Sequence, residues 1–269
     1  MKGDFMYYDF LLLGHLVWNL PLLVLLIGIS FLYSYLIKRY TDLRLFNKQP
    51  IFFFLSLCLI CLILGSPLSA FSHLSLSLHM IQMSILYFII PPLLLVGIPP
   101  QLFARAIRTS LLQKIGKLFL TPKLALMLFS ALFLLYHLPF LLEYLSQAPL
   151  IQSIYLCILF ILSFSLWWPI VSPDHRQRLY KKQKKNFILL TMLMLMPACS
   201  LFILSAFIDG VQNPYLNQLA VLLCLPTNSN SLDLLASPFH SKYDPLVAGT
   251  LMIGIHKSGI MLSTRLVKK

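Results

Sequence analysis

The sequence predicts an all-α fold: a polytopic membrane protein, one seven-helix membrane domain over residues 1–269, with the N-terminus outside and the C-terminus cytoplasmic. Three observations carry that prediction. Hydrophobic residues make up 59% of the chain and charged residues only 11%, with a mean hydropathy of +0.84, whereas a soluble domain carries about 25% charged residues. Seven apolar runs approach the roughly 20 residues that cross a hydrocarbon core. The loops between them alternate in charge, which is the pattern that orients spans across a bilayer.

The spans fall near residues 10–36, 51–70, 78–98, 124–142, 150–171, 187–208 and 245–264. Aromatic anchors mark interfaces: Tyr7, Tyr8 and Trp18 around the first span, Trp167 and Trp168 at the end of the fifth. The third span lies within HMIQMSILYFIIPPLLLVGIPP, from His79 to Pro100. Its Pro91-Pro92 pair lacks two backbone donors and crowds the preceding turn, so a kink is expected there. After it, PQLFARAIRTSLLQKIGKL (100–118) sets Phe103, Ile107, Leu111 and Ile115 at helical spacing beside Arg105, Arg108, Lys114 and Lys117. That pattern predicts a basic amphipathic helix on the cytoplasmic leaflet. In the loop 209–244, Leu216 to Leu225 is too short to span and reads as an interfacial or re-entrant piece, and Thr227 to Ser231 reads as a turn.

All of the 21 basic residues except Lys2, Lys242 and Lys257 lie in loops 38–50, 99–123 and 172–186 or in the C-terminal tail. Asp4, Asp9, Glu143, Asp209, Asp233 and Asp244 lie on the opposite, Lys-poor side. The net charge of +13 therefore reflects loop bias and not a nucleic-acid surface. No small-residue cleavage site follows the first apolar run, so that helix is expected to be retained. The five cysteines form no secreted-type disulfide framework. No P-loop, HExxH, nucleophile elbow or dinucleotide fingerprint is present, and no enzymatic activity is expected.

This topology assigns each histidine a depth. His15, His73, His79, His137 and His240 fall at or near the outer face, His175 is cytoplasmic, and His256 lies deeper in span seven. His79 and Met83 stand at i and i+4, one turn apart on one helix face. An imidazole with a thioether suits Cu(I) better than Mg or Ca. His137 enters at the same level, and so does Asp244, as a ligand or as a carboxylate orienting a histidine. The plainer alternative is an imidazole hydrogen-bonded at the interface. Weaker candidates are the CxxC pair Cys58 and Cys61, and a Met192–Met196–Cys199 path in span six, for which core packing is the competing reading. Lys257 is the one intramembrane cation; it either snorkels or pairs with a polar group.

The string SPLSAFSHLSLSLHMIQMSILYFIIPPLLLVGIP resembles the signature of the CtaG-like assembly proteins of caa-type cytochrome c oxidase. YHLPFLLEYL around His137, LWWPIVSP at 166–173, DPLVAGTLM at 244–252 and the MPAC stretch at 196–199 agree with it in the same order. The resemblance implies a seven-helix protein of the bacterial inner membrane, needed to assemble active oxidase and to help copper reach its catalytic subunit. Its partners would be oxidase subunits and the lipid bilayer, with no nucleic acid. His79, His137 and Asp244 stand on the family's motif positions. Met83 occupies a place where many members carry histidine, and residues 150–168 lack the histidines common early in helix five.

The resulting expectation is an assembly factor that holds Cu(I) as cargo at the outer face through His79, Met83, His137 and Asp244. The alternative is a metal-free scaffold for oxidase subunits. A small transporter is a third reading, against which the scarcity of intramembrane polar residues and the lack of an inverted repeat both weigh.

Overall fold

The computed structural model describes residues 18–67, 69, 72, 75–106, 121–207 and 243–267. His15, His73, His240, the 209–242 loop and the expected amphipathic helix beyond Ala106 lie outside the described residues. Among the described residues every regular element is helical and there is no strand. Six helices are long and apolar enough to cross a membrane, or seven if one bent pair counts as a single span.

Helix α1 is Leu20–Tyr40. It begins at Leu20 because the Asn19 side chain accepts from the Leu22 N–H at 3.1 Å, and it extends past the expected 36 through Lys38 and Arg39. Those two cations sit in its last turn, where the helix dipole favours them. Helix α2, Lys48–Ile60, continues into a π-helical turn, Cys61–Gly65, and the span stops there, short of the expected 70. Helices α1 and α2 meet at Tyr33, whose ring stacks on Phe53 at 3.7 Å and whose hydroxyl donates to the Gly97 carbonyl at 2.6 Å. Gly97 ends the third span, and a Cβ there would stand 2.8 Å from the Phe53 nitrogen, so only glycine allows this approach.

The third span is α3, Leu76–Ser84, a π-helical turn, Ile85–Ile89, and α4, Ile90–Gly97. It is the most deeply buried of the spans. The expected kink takes the form of that π-helical turn, set directly before Pro91 and Pro92. The reason is local: two prolines leave the carbonyls of Tyr87 and Phe88 without their i+4 donors, and a wider turn redistributes the bonds, with Ile90 N–H reaching back to Ile85 O. Neighbouring helices attend to the freed carbonyls. The Trp167 indole donates to Tyr87 O at 2.9 Å, and Gly259 brings its helix so close to Phe88 O that a Cβ would collide with it.

A short helix, α5, spans Pro100–Ala106 and is the described start of the expected amphipathic segment. Phe103 meets Trp168 at 5.3 Å, and Arg105 lies over the Tyr40 ring at 4.3 Å. The fourth span, expected as one segment near 124–142, is built from two helices. It is α6, Pro122–Tyr136, followed by α7, Pro139–Ser146, bent by 78°. Pro139 cannot continue the helix and pushes Leu138 to extended backbone, so the break falls at His137 and Leu138.

Helix α8 is Pro149–Val171. Helix α9, Lys181–Phe207, starts a turn and more before the expected 187, winding the KKQKKN segment into the helix. Helix α10 is Tyr243–Leu266. It packs chiefly on α9 and α3; α6 packs on α8 and α9, and α8 also touches α4. The core between them holds Phe88, Phe129, Phe133, Trp167 and Phe202, all nearly fully buried. Helix α1 shows Leu25, Phe31 and Leu32 outward, as a helix does when its solvent is hydrocarbon.

Candidate functional site

The start of α3 carries the site. The first N–H groups at a helix start have no partner within the helix, and here those of Leu76, Ser77 and Leu78 find side-chain acceptors. The Ser75 side chain accepts from Leu78 N–H at 3.2 Å. His79 N–H makes the first bond of the helix, to Ser75 O at 3.1 Å. The remaining two come under Asp244, from α10: Oδ2 accepts from Leu76 N–H at 2.9 Å and Oδ1 from Ser77 N–H at 3.1 Å. The Ser77 hydroxyl donates to Oδ1 as well and to the Asp244 carbonyl. A negative charge at a helix N-terminus is stabilising on its own account. Asp244, expected as a ligand or as a carboxylate orienting a histidine, thus has both oxygens engaged in joining the first turns of α3 and α10.

This tie makes α3 and α10 start at the same level and run parallel. At a rise of about 1.5 Å per residue, Met83 on α3 and Met252 on α10 lie at similar depth, about 10–12 Å below the tie. Phe88 and His256 share a deeper level, and their rings stand 4.8 Å apart.

His79 is 4% exposed and Met83 also 4%, so both turn into the bundle. The His79 imidazole lies nearly parallel to the Tyr136 ring at 6.3 Å. Tyr136 is the last residue of α6, and His137 follows it at the bend, fully buried among Phe133, Tyr136 and Phe202. The two histidines expected to converge are therefore both set against Tyr136. Tyr136 also stacks on Tyr155 at 5.9 Å, and its hydroxyl accepts from Gln152 Nε2 at 3.5 Å. Gln152 and Tyr155 occupy the stretch of helix five where the sequence has no histidine.

His137 has a defined tautomer. Its Nδ1 lies 2.6 Å from the Phe133 carbonyl. A carbonyl oxygen only accepts, so Nδ1 carries the proton and Nε2 carries the lone pair. A ring nitrogen donating to a backbone carbonyl is the usual support behind a metal-ligating histidine.

Among the described residues, no three His, Cys, Asp or Glu side chains gather as a metal cage. The soft donor one turn along from His79 is the Met83 thioether. Met80 and Met252 are buried with Met83 in the same core cluster. Sequence reasoning missed Met252, although it stands at i, i+4 from His256 as His79 does from Met83. The weaker candidates do not assemble. Cys58 is exposed and Cys61 half-buried, both free thiols. Cys199 is buried, but Met196 is 50% exposed on the outer side of α9, because the buried face of that helix runs through Thr191, Leu195, Ala198 and Phe202. Lys257 is exposed on the outward side of α10, and among the described residues no carboxylate pairs with it. His256 is buried against Phe88 and Trp167, and its Nε2 has no hydrogen-bond partner among the described residues.

No curated protein and no solved structure matches the chain. The model of one family, described as the cytochrome c oxidase caa3 assembly factor, matches residues 31–257. That match runs from α1 to the His256–Lys257 turn of α10 and takes in the Asp244 tie, the diproline turn and the bend at His137: the chain belongs to the cytochrome c oxidase caa3 assembly factor (Caa3_CtaG) family.

Proposed function

We propose that this protein is a non-enzymatic assembly factor of the bacterial inner membrane that holds Cu(I) as cargo and passes it to an oxidase subunit docked on its helices. The reading takes the molecule as one seven-helix domain, the bent α6–α7 pair being one span, with the N-terminus outside. The carrying observation is His137: its Nδ1 is committed to Phe133 O, which presents Nε2 in the form that binds a metal. His79 abuts the same Tyr136, and Met83 follows His79 by one turn. Imidazole and thioether donors are neutral and suit Cu(I), and few neutral donors keep release fast. Asp244 serves this arrangement by holding the His79 helix in place.

The test is His79→Ala. The expected outcome is an oxidase with lowered copper content while the assembly factor still accumulates in the membrane. Normal oxidase copper in that variant removes the copper role.

A second reading is a metal-free scaffold for oxidase subunits. It is favoured by one observation, the engagement of both Asp244 oxygens with the α3 backbone. Elemental analysis of protein purified under reducing conditions separates the two. Bound copper that His79→Ala removes supports cargo handling, and protein devoid of copper supports the scaffold.

A further inference from the structure

At the Lys/Arg-rich end of the bundle, away from His79, a cavity of ≈ 290 Å³ opens between the start of α2, the end of α4, the 172–178 connection and the end of α10. Lys48, His175, Arg178 and Arg265 line it, together with apolar groups such as Phe52 and Leu95. Among the described residues that line it there is no Asp or Glu. Three of its walls are the terminal turns of apolar spans, which puts the cavity at the level where hydrocarbon gives way to headgroups.

Gathered cations repel. Asp174, in the same connection, is occupied: Oδ1 accepts from Arg176 N–H at 2.9 Å and Oδ2 from Gln177 Nε2 at 3.4 Å. Arg178 is held in place, its Nε donating to the Ser172 carbonyl at 2.7 Å, which leaves its two Nη groups for a further acceptor. Burial acts against the Arg178 charge, with Asp174 opposing that effect. An anion in the cavity would offset both the burial and the mutual repulsion.

We infer that this cavity binds the phosphate of an anionic phospholipid headgroup, with Arg178 and Arg265 on the phosphate oxygens and the Phe52–Leu95 wall against the apolar part of the lipid. Guanidinium groups match phosphate with paired N–H donors. Basic pockets between spans at the cytoplasmic surface are a recurrent headgroup site. The apolar wall and the interfacial depth favour a lipid over free phosphate. The site stands independently of copper handling, since it lies at the other end of the spans from His79.

The experiment titrates the full-length protein, purified in an uncharged detergent, with phosphatidylglycerol, phosphatidylcholine or inorganic phosphate. Native mass spectrometry reads retained lipid, and thermal unfolding reads stabilisation. Phosphatidylglycerol is expected to be retained and to raise the unfolding midpoint, while the other two do neither. Arg265→Gln is expected to weaken retention about fivefold, as loss of one cation near a headgroup implies. Arg265 is exposed, so this variant folds even if Arg178→Gln does not. Equal retention of phosphatidylcholine, saturation by inorganic phosphate alone, or unchanged retention in Arg265→Gln would each overturn the assignment.

Discussion

Asp244 shows how one side chain joins two helices. Its carboxylate replaces the missing partners of Leu76 and Ser77 and receives the Ser77 hydroxyl. Hydrogen bonds to a charged group contribute about 1.5–3 kcal/mol, so Asp244→Ala is expected to lower stability by about that much. Asp244→Asn, which keeps an acceptor but loses the charge, should lose less. Thermal or denaturant unfolding in detergent measures both, and equal stability of Asp244→Ala and wild type would refute the tie. Trp167 does comparable work at the other level. Trp167→Phe keeps an aromatic side chain of smaller volume and removes the donor to Tyr87 O, leaving the buried carbonyl that Pro91 freed without its partner. The expected cost is about 1–3 kcal/mol, read in the same way. Neither role was legible in the sequence. Asp244 was visible as a polar residue entering a span, and Trp167 as an interface anchor, but their partners are 168 and 80 residues away.

The elements followed their composition closely where local rules suffice and departed where proline intervened. Asn19 capped α1, and among the described residues the apolar runs became helices, six of them long enough to span or seven if the bent pair counts as one. The fourth run was expected as one span near 124–142, and Pro139 divides it into two segments at 78°. The bend falls directly after Tyr136, with His137 as the cap of α6. The diproline turn of the third span dictates how closely α10 approaches. Gly259→Ala would set a Cβ against Phe88 O, and the helices must move apart, an overpacking cost of about 1–3 kcal/mol. Gly254, in the same helix, has open space around its Cβ position. Gly254→Ala is therefore expected to leave the unfolding midpoint unchanged or slightly raised. Matching losses in the two variants would argue against the close contact.

At the scale of the whole molecule, the sidedness of the bundle decides what each end is for. The basic loops and the cavity lined by Arg178 and Arg265 share one end, and His79, Met83 and His137 lie toward the other. The bias of cytoplasmic loops toward Lys and Arg predicts that alkaline phosphatase fused to the C-terminus is inactive and a fluorescent protein fused there is bright. An active phosphatase at that position would reverse the bundle and move the imidazoles to the cytoplasmic side. Lys257 fits this frame as a cation on the outward face of α10.

The sequence by itself determined the membrane class, the number and order of apolar runs, the expected orientation and the motif residues. These depend on hydropathy and charge over short windows, and each window carries its own signal. Only the tertiary structure decided what the polar residues do. It spent Asp244 on a helix start, paired Trp167 with a carbonyl released by proline, turned Met196 outward and brought His79 and His137 to one tyrosine. Those outcomes depend on which helix faces meet. Inside an apolar bundle a backbone group lacking its local partner must find one from a distant segment, and no local pattern records where that segment will lie.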